Sequence, residues 1–126
     1  MTLLRVMFSP TDFGEAVRFF TEIVELDLVA SWDDDGRGAI FQAPGAQIEL
    51  FGSGPADADH PHRPAQPTGS LDVGVAWEVD DVDATATRII ARGAAMISPP
   101  TDRPWGMRST TIAGPDGLLV TLFQLI

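Results

Sequence analysis

Cysteine is absent from this sequence, and clusters of basic residues and long apolar runs are absent as well. Without cysteine, the chain can form no disulfide, thiolate nucleophile or iron–sulfur cluster. No group of Lys and Arg offers the concentrated positive charge that binding to nucleic-acid phosphates requires. No apolar run approaches the roughly 20 residues that span a bilayer, and residues 1–5 lack the basic start of a signal peptide. We therefore expect a cytoplasmic protein whose partners include neither nucleic acid nor membrane.

The composition is that of a folded, acidic domain. The 126 residues, of which 44% are hydrophobic, suffice for one compact core but not for two independent ones. The formal charge of −10 arises from 8 basic and 18 acidic residues. This charge is compatible with a cationic ligand, although solubility alone would also account for it.

The first half of the chain predicts a strand, a helix and three further strands. Asp12 is placed to accept a hydrogen bond from the N–H of Glu15, and Glu15 can reach back, which is a typical helix start. An apolar stripe follows at helical spacing, with Ala16 and Ile23 beside it; its members are Val17, Phe20 and Val24. Short apolar segments separated by turn residues predict the strands. They cover residues 3–8, 28–32, 38–42 and 47–51.

The second half repeats this order. Carboxylates at residues 80–83 open a helix, and Gly93 is placed to end it. The apolar stripe of this helix consists of Val82, Ala86 and Ile89. The strands are predicted at residues 71–79, 95–98, 107–112 and 118–124.

The two halves align residue by residue. Asp12 corresponds to Asp81, Phe20 to Ile89, and residues 48–51 to residues 120–123. The sequence therefore predicts an α+β fold, built from two tandem βαβββ modules within a single domain. The domain covers residues 1–126, the first module 1–52, a Pro-rich linker 53–70 and the second module 71–126. Each module has a half-covered sheet, so the pair must share burial within one chain or across a dimer.

The linker contains a His-x-His pair. His60 and His62 lie among the prolines of this segment. Such a pair is typical of a solvated loop rather than a metal site.

In this order and spacing, the segments of the chain resemble the vicinal-oxygen-chelate superfamily, which comprises glyoxalases, bleomycin resistance proteins and extradiol dioxygenases. The similarity is greatest to the bleomycin-resistance-like branch and covers nearly the whole chain outside the linker. It implies curved mixed sheets around a cleft that takes a small organic ligand. The segments that carry the resemblance are residues 12–20, 48–51, 75–83, 104–108, 114–117 and 122–124.

Metalloenzymes of this family place four ligands in the cleft, on the first and last strand of each module. Carried over to this sequence, the positions are Arg5, Glu49, Gly74 and Thr121. Arg5 has no lone pair to donate, Gly74 has no side chain, and Thr121 is a poor neutral ligand. Glu49 is the only retained ligand position. We therefore expect no cofactor and no divalent metal.

Strand alternation extends the candidate site. If Arg5 and Glu49 point into the cleft, Met7, Ser9, Gln47 and Phe51 do so too. By the same parity Phe123 flanks Thr121, and Asp72 and Ala76 flank Gly74. We hypothesise that Arg5 pairs with Glu49 in place of a metal; the alternative is that Arg5 extends to solvent.

Aromatic residues supply further candidates. Trp77 is predicted to face the helix, whereas Trp105 lies in a Pro-Trp-Gly loop whose family counterpart is near the pocket mouth. Trp32 and Phe41 either complete an aromatic wall of the site or pack in the core. The candidate ligand-binding set is Arg5, Met7, Trp32, Phe41, Gln47, Glu49, Phe51, Gly74, Trp105, Thr121 and Phe123.

The resemblance and the missing ligands favour a metal-independent small-molecule-binding protein, which sequesters a cationic or aromatic antibiotic-like ligand as a homodimer. The alternative is an enzyme of the same fold, in which Glu49 is the catalytic base or a metal ligand. An isomerase, epimerase or lyase could use Glu49 to remove a proton while Arg5 stabilises an enolate or carboxylate. An adjacent guanidinium disfavours that role. A metalloenzyme of glyoxalase or dioxygenase type would need ligands that the sequence lacks.

Overall fold

The computed structural model describes residues 2–33, 36–52 and 74–126 of the chain. It divides into two compact units, Met1–Ser70 and Leu71–Ile126. Each unit contains a helix and a four-stranded mixed sheet in the order strand, helix, three strands. The α+β architecture of two βαβββ modules is confirmed. The predicted linker, with His60 and His62, lies outside the described residues, and so does Asp72.

The first unit has a sheet in the order β1-β4-β3-β2. Strand β1 runs parallel to β4, and the other neighbours are antiparallel. The elements are β1 (Arg5–Phe8), α1 (Phe13–Arg18), a π-helical turn (Phe19–Ile23), β2 (Asp27–Trp32), β3 (Arg37–Ala43) and β4 (Ala46–Gly52).

Helix α1 begins where its sequence predicts, but it is followed directly by the π-helical turn. The Asp12 side chain accepts a hydrogen bond from the Glu15 N–H at 3.0 Å, while the Glu15 carboxylate pairs with Arg18 at 3.0 Å instead of reaching back. The π-helical turn then carries more residues per turn than an α-helix, which rotates the later side chains. The buried residues of this segment are Ala16, Phe19, Phe20 and Ile23, so Phe19, which the predicted stripe omitted, is buried, whereas Val17 and Val24 are half-buried.

The core of the first unit lies between this helix and one face of the sheet. The Phe20 ring contacts those of Phe8, Phe19 and Phe41, with centroids 6.0, 5.1 and 5.4 Å apart. Phe41 is fully buried there, and its register partner is Ile48, the neighbour of Glu49 in β4. Because alternate residues face opposite sides of a strand, Phe41 lies on the side away from Glu49. Its place in the ligand-binding set is therefore corrected: it is a core residue.

The second unit has the same topology, in the order β5-β8-β7-β6, with β5 parallel to β8. A short 3₁₀ turn, Pro115–Gly117, joins its last two strands. The elements are β5 (Gly74–Glu78), α2 (Val82–Ala91), β6 (Ala95–Arg103), β7 (Met107–Ala113) and β8 (Leu119–Leu125).

Helix α2 has the boundaries and the buried face that its sequence predicts. The Asp81 side chain accepts from the Ala84 N–H at 3.0 Å, and the Gln124 side chain accepts from the Val82 N–H at 2.9 Å. Gly93 follows the helix with a φ of 106°, a conformation that favours glycine. The buried residues of the helix are Val82, Ala86 and Ile89.

Strand β6 extends well beyond its predicted end at Ser98. It continues through Pro99 and Pro100 to Arg103, with register irregularities on either side of Ser98. Proline lacks the N–H that a central strand must donate, so it is tolerated in a strand only at an edge or a bulge. In this sheet β6 is an edge strand. Its edge position explains why two prolines do not end it.

Candidate ligand-binding faces

The first sheet has a face that the helix does not cover, which we call the first helix-free face. Ile48 and Leu50 of β4 point toward the helix, so Gln47, Glu49 and Phe51 point to the other side. The parallel register places Arg5 beside Gln47 and Met7 beside Glu49. The sequence-predicted candidates on this face are Arg5, Met7, Gln47, Glu49 and Phe51.

Arg5 is the centre of a polar network on this face. Its guanidinium contacts a carboxylate oxygen of Glu49 at 3.3 Å and the amide oxygen of Gln47 at 2.9 Å. The Gln47 amide donates in turn to Gln42 at 3.0 Å. The predicted pairing of Arg5 with Glu49 is confirmed. Because the donors of Arg5 point at the Gln47 oxygen, the network also orients that amide.

Burial varies along this face. Glu49 is 8% exposed and Phe51 is 2% exposed, whereas Met7 is 44% exposed.

Trp32 pairs with Gly38 in the register of β2 and β3, and its indole lies so close to that glycine that a Cβ at position 38 would overlap the ring. Glycine at this position is therefore what allows the indole to lie against the sheet.

The second sheet has an equivalent surface, the second helix-free face. Val120 and Leu122 are buried beneath α2, so Thr121 and Phe123 point away from it. The register places Thr111 beside Thr121, and their hydroxyls are hydrogen-bonded at 3.0 Å. Gly74, at the start of β5, adds no side chain to this face.

Arg103 also lies on the second helix-free face, and the sequence-based candidate set omitted it. Its guanidinium donates to the Ser109 hydroxyl at 3.1 Å and to the Ser98 hydroxyl at 3.2 Å. Ser109 is the register partner of Phe123, which places all of these groups on the same side. The predicted strand ended at Ser98, so alternation could not be extended to position 103.

The helix side of the same sheet carries a different arginine. Arg108 contacts Asp83 of α2 at 3.0 Å and Asp102 of β6 at 2.9 Å. Hydrogen bonds to Asp83, and secondarily to Asp102, raise the pKa of the Arg108 guanidinium above its usual value. Its charge is therefore balanced within the unit.

The other aromatic candidates occupy distinct positions. Trp105 is 67% exposed in the turn between β6 and β7, next to Gly106 with a φ of 85°. Trp77 is half-buried, and its register partner is Leu122, on the helix side as predicted. Trp105 is accessible to a ligand and Trp77 packs within its unit.

The donor groups at the four family ligand positions do not fit a divalent ion. In the first unit, Arg5 donates to the Glu49 carboxylate. In the second, Gly74 has no donor atom and Thr121 offers a neutral hydroxyl that is already bonded to Thr111. Among the described residues, no group of three His, Cys, Asp or Glu side chains could hold a metal. A divalent ion prefers several carboxylate or imidazole donors.

A cavity of about 400 Å³ lies at the β2 edge of the first sheet, lined by residues of α1, β2 and β3. Phe13 and Val17 of α1 and Leu28 of β2 line it, and Trp32 forms part of its wall. The guanidinium of Arg37 lies 4.9 Å from the centroid of the Phe13 ring at its border. Of the sequence-predicted candidates, only Trp32 contributes to this cavity.

Among the described residues, no helix is both long and apolar enough to cross a membrane.

Comparison with known families and structures identifies the chain's relatives. The profile of the Glyoxalase/Bleomycin resistance protein/Dioxygenase superfamily matches residues 2–122. No curated protein matches the chain significantly.

Solved structures resemble the chain over nearly its whole length. TnmS3, an antibiotic binding protein from Streptomyces sp. CB03234, is 29% identical, with a TM-score of 0.71 and coverage of 100% of this chain and 97% of its own. A glyoxalase/bleomycin resistance protein from the same strain is 30% identical, with a TM-score of 0.65 and coverage of 95% and 97%. TioX from Micromonospora sp. ML1 is 23% identical, with a TM-score of 0.79 and full coverage of both chains, and it shows the shared fold.

Proposed function

The chain belongs to the Glyoxalase/Bleomycin resistance protein/Dioxygenase superfamily, and we propose that it is a metal-independent binding protein that sequesters a small, aromatic, antibiotic-like molecule on its helix-free faces. The observation that carries this proposal is the contact between Arg5 and Glu49. It places a permanent cation against the one carboxylate that the family's ligand positions retain. A metal ion would have to displace that cation, and it would gain few donors in return.

Similarity to TnmS3 supports the binding role. That protein is named as an antibiotic binding protein, and it shares 29% identity with the whole of this chain. On the first helix-free face, the Met7 side chain is 44% exposed and offers apolar surface, which an aromatic ligand requires. We also propose a homodimer, as the family resemblance implies, and native mass spectrometry would detect the doubled mass.

The binding experiment uses the untagged protein and a panel of aromatic natural products. We expect members of the panel to raise Tm in the presence of EDTA, because a ligand that binds the folded state stabilises it by mass action. Isothermal titration calorimetry of the compounds found then gives Kd. Failure of the whole panel to raise Tm would contradict the proposal, and so would loss of binding in EDTA.

Two methionine variants locate the ligand. Met7 is 44% exposed on the first helix-free face, and Met96 is 41% exposed in β6, with the helix-side residue Ile112 as its register partner. We expect M7A to weaken binding by about 3- to 30-fold, which is typical of removing buried apolar contact from a ligand site. M96A removes the same side chain from the other side of a sheet and should leave Kd unchanged. Equal effects of the two variants would exclude the first helix-free face as the site.

An enzymatic role for Glu49 is the second candidate, and the low exposure of this carboxylate favours it. A base beside an enolate-forming substrate would exchange the substrate's proton with solvent deuterium. Incubating each bound compound in D₂O distinguishes the two functions: deuterium incorporation that E49Q abolishes indicates catalysis. The binding role predicts that the compounds are recovered without deuterium.

A further inference from the structure

We infer that the molecule bound on the second helix-free face is an aromatic acid, whose anionic oxygen, a carboxylate or a phenolate, binds the guanidinium of Arg103. The inference rests on the proposed binding function and names the chemical class of its ligand. It replaces a cationic ligand, which the net charge alone would favour.

Arg103 is held in place by neutral groups. The hydroxyls of Ser109 and Ser98 accept its hydrogen bonds at 3.1 and 3.2 Å. They satisfy only some of the guanidinium's N–H donors, which form a planar fork suited to a carboxylate. Neither hydroxyl carries a charge that would offset that of the arginine.

Arg103 differs from arginines of the described residues that contact carboxylates, such as Arg18 with Glu15 on α1. Arg5 contacts Glu49 on the first helix-free face, and Arg108 contacts two aspartates on the helix side. Within residues 2–33, 36–52 and 74–126, no carboxylate lies within ion-pair distance of Arg103. Glu78, which shares the face, belongs to β5 at the opposite edge of the four-stranded sheet. A half-buried cation without a carboxylate partner attracts an anion strongly.

The surroundings of Arg103 also match an aromatic ring. Phe123 is half-buried on β8 and is the register partner of Ser109, which bonds the guanidinium. The hydroxyls of Thr111 and Thr121 occupy the next paired positions on the same two strands and are bonded to each other. The face therefore presents a fixed cation, an aromatic side chain and a surface of satisfied hydroxyls. An aromatic acid complements each of these groups.

The experiment compares acids with their neutral amides. The probes are benzoate, 2-naphthoate and anthracene-2-carboxylate, each paired with the corresponding carboxamide, and Kd is measured by ligand-observed NMR. In the wild-type protein we expect the best acid to bind at least about 10-fold more tightly than its amide, because a hydrogen bond to a charged group is worth more than one to a neutral group.

Matched variants assign the preference to one side chain. R103Q should abolish the preference for the acid while leaving the affinity for the amide within about 2-fold. R108Q removes the same charge from the helix side of the same sheet and should retain the preference. R103K keeps the charge but loses the planar fork, so we expect it to retain only part of the preference. Circular dichroism and Tm confirm that each variant is folded.

The outcomes are distinct. Equal binding of acid and amide to the wild-type protein would overturn this inference and leave the proposed binding function standing. A preference for the acid that survives in R103Q would also overturn it, because another cation would then be responsible. A panel in which neither acids nor amides bind counts against the inference, and the screen of natural products decides the proposed function separately.

Discussion

Glu49 shows how a single contact determines the chemistry of a position. Its carboxylate is 8% exposed, whereas the Arg5 side chain that pairs with it is 38% exposed. A buried charge that loses its partner costs more than an exposed one, because water can solvate only the latter. The loss of Arg5 and the loss of Glu49 therefore lower the free energy of unfolding by different amounts, although the two residues form one ion pair.

This asymmetry predicts the stabilities of three variants. R5M leaves the Glu49 charge unpaired and should lower the free energy of unfolding by about 1–3 kcal/mol. E49Q leaves Arg5 partly in water and should cost less, and R5M/E49Q should be more stable than R5M alone. Urea unfolding measures all three.

An exposed ion pair provides the control. R18Q removes the contact of Arg18 with Glu15 on the surface of α1 and should leave the urea midpoint nearly unchanged. In the contradicting outcome, R5M and E49Q lower the free energy of unfolding equally, and the double variant loses the sum of the two. That result would mean that the contact between Arg5 and Glu49 does not shield a buried charge.

Residue alternation was sufficient to predict the pairing of Arg5 with Glu49, because both lie in short regular strands whose parity is unambiguous. The same reasoning placed Trp77 on the helix side. Alternation could not predict which face of the sheet Phe41 occupies, because the turn before β3 leaves the alternation of that strand undetermined in the sequence. The ring contact with Phe20 shows that Phe41 is on the helix side.

At the scale of elements, the repeat is expressed in the two helix starts. The side chains of Asp12 and Asp81 each accept a hydrogen bond from the backbone N–H three residues later, at 3.0 Å in both helices. The helices then diverge, because the first continues into a π-helical turn and the second remains regular. A short polar side chain before an apolar stripe is a local signal, so the sequence predicts it well. The π-helical turn has no such local signal.

The helix start of α2 can be tested directly. D81A removes the acceptor for the Ala84 N–H and should lower the free energy of unfolding by about 1 kcal/mol. D81N should retain most of the stability, since asparagine caps helices nearly as well. D80A changes the neighbouring exposed carboxylate, which makes no cap, and should have little effect. Thermal unfolding provides the comparison, and a D80A effect as large as that of D81A would assign the loss to charge instead.

Strand β6 is the element that sequence reasoning missed. Two consecutive prolines predict an end to a strand, and here they lie within one, because an edge strand has a side from which no N–H is required. Edge position is a property of the sheet and cannot be read from the strand's own residues. Arg103, near the end of this strand, was omitted for that reason alone.

At the scale of the whole molecule, charge is the dominant property. The formal charge of −10 is spread over a chain of 126 residues. Repulsion among the carboxylates opposes compaction, and it acts over about 30 Å at 0.01 M salt but only about 8 Å at 0.15 M. Local ion pairs such as that of Arg108 with Asp83 act at contact distance and depend less on salt.

We therefore expect added NaCl to stabilise the protein. Tm should rise steadily between 0.01 and 0.3 M NaCl at pH 7, because screening weakens the repulsion more than it weakens the contact pairs. The variant D27N/D80N neutralises two exposed carboxylates, which reduces the formal charge to −8, and should show a shallower rise. Differential scanning calorimetry measures both slopes. A Tm that falls with salt would mean that ion pairs, not net charge, dominate.

The sequence by itself determined the repeated order of elements, both helix starts, most strands and the family, because these depend on local periodicity, capping residues and turns. It also determined that three of the four family ligand positions lack a metal donor, since side-chain chemistry is independent of the fold. Only the tertiary structure decided that Phe41 belongs to the core and that Arg103 lies on a helix-free face. Both depend on strand register and on which strand lies at the edge of the sheet, and these are set by contacts between residues distant in the chain.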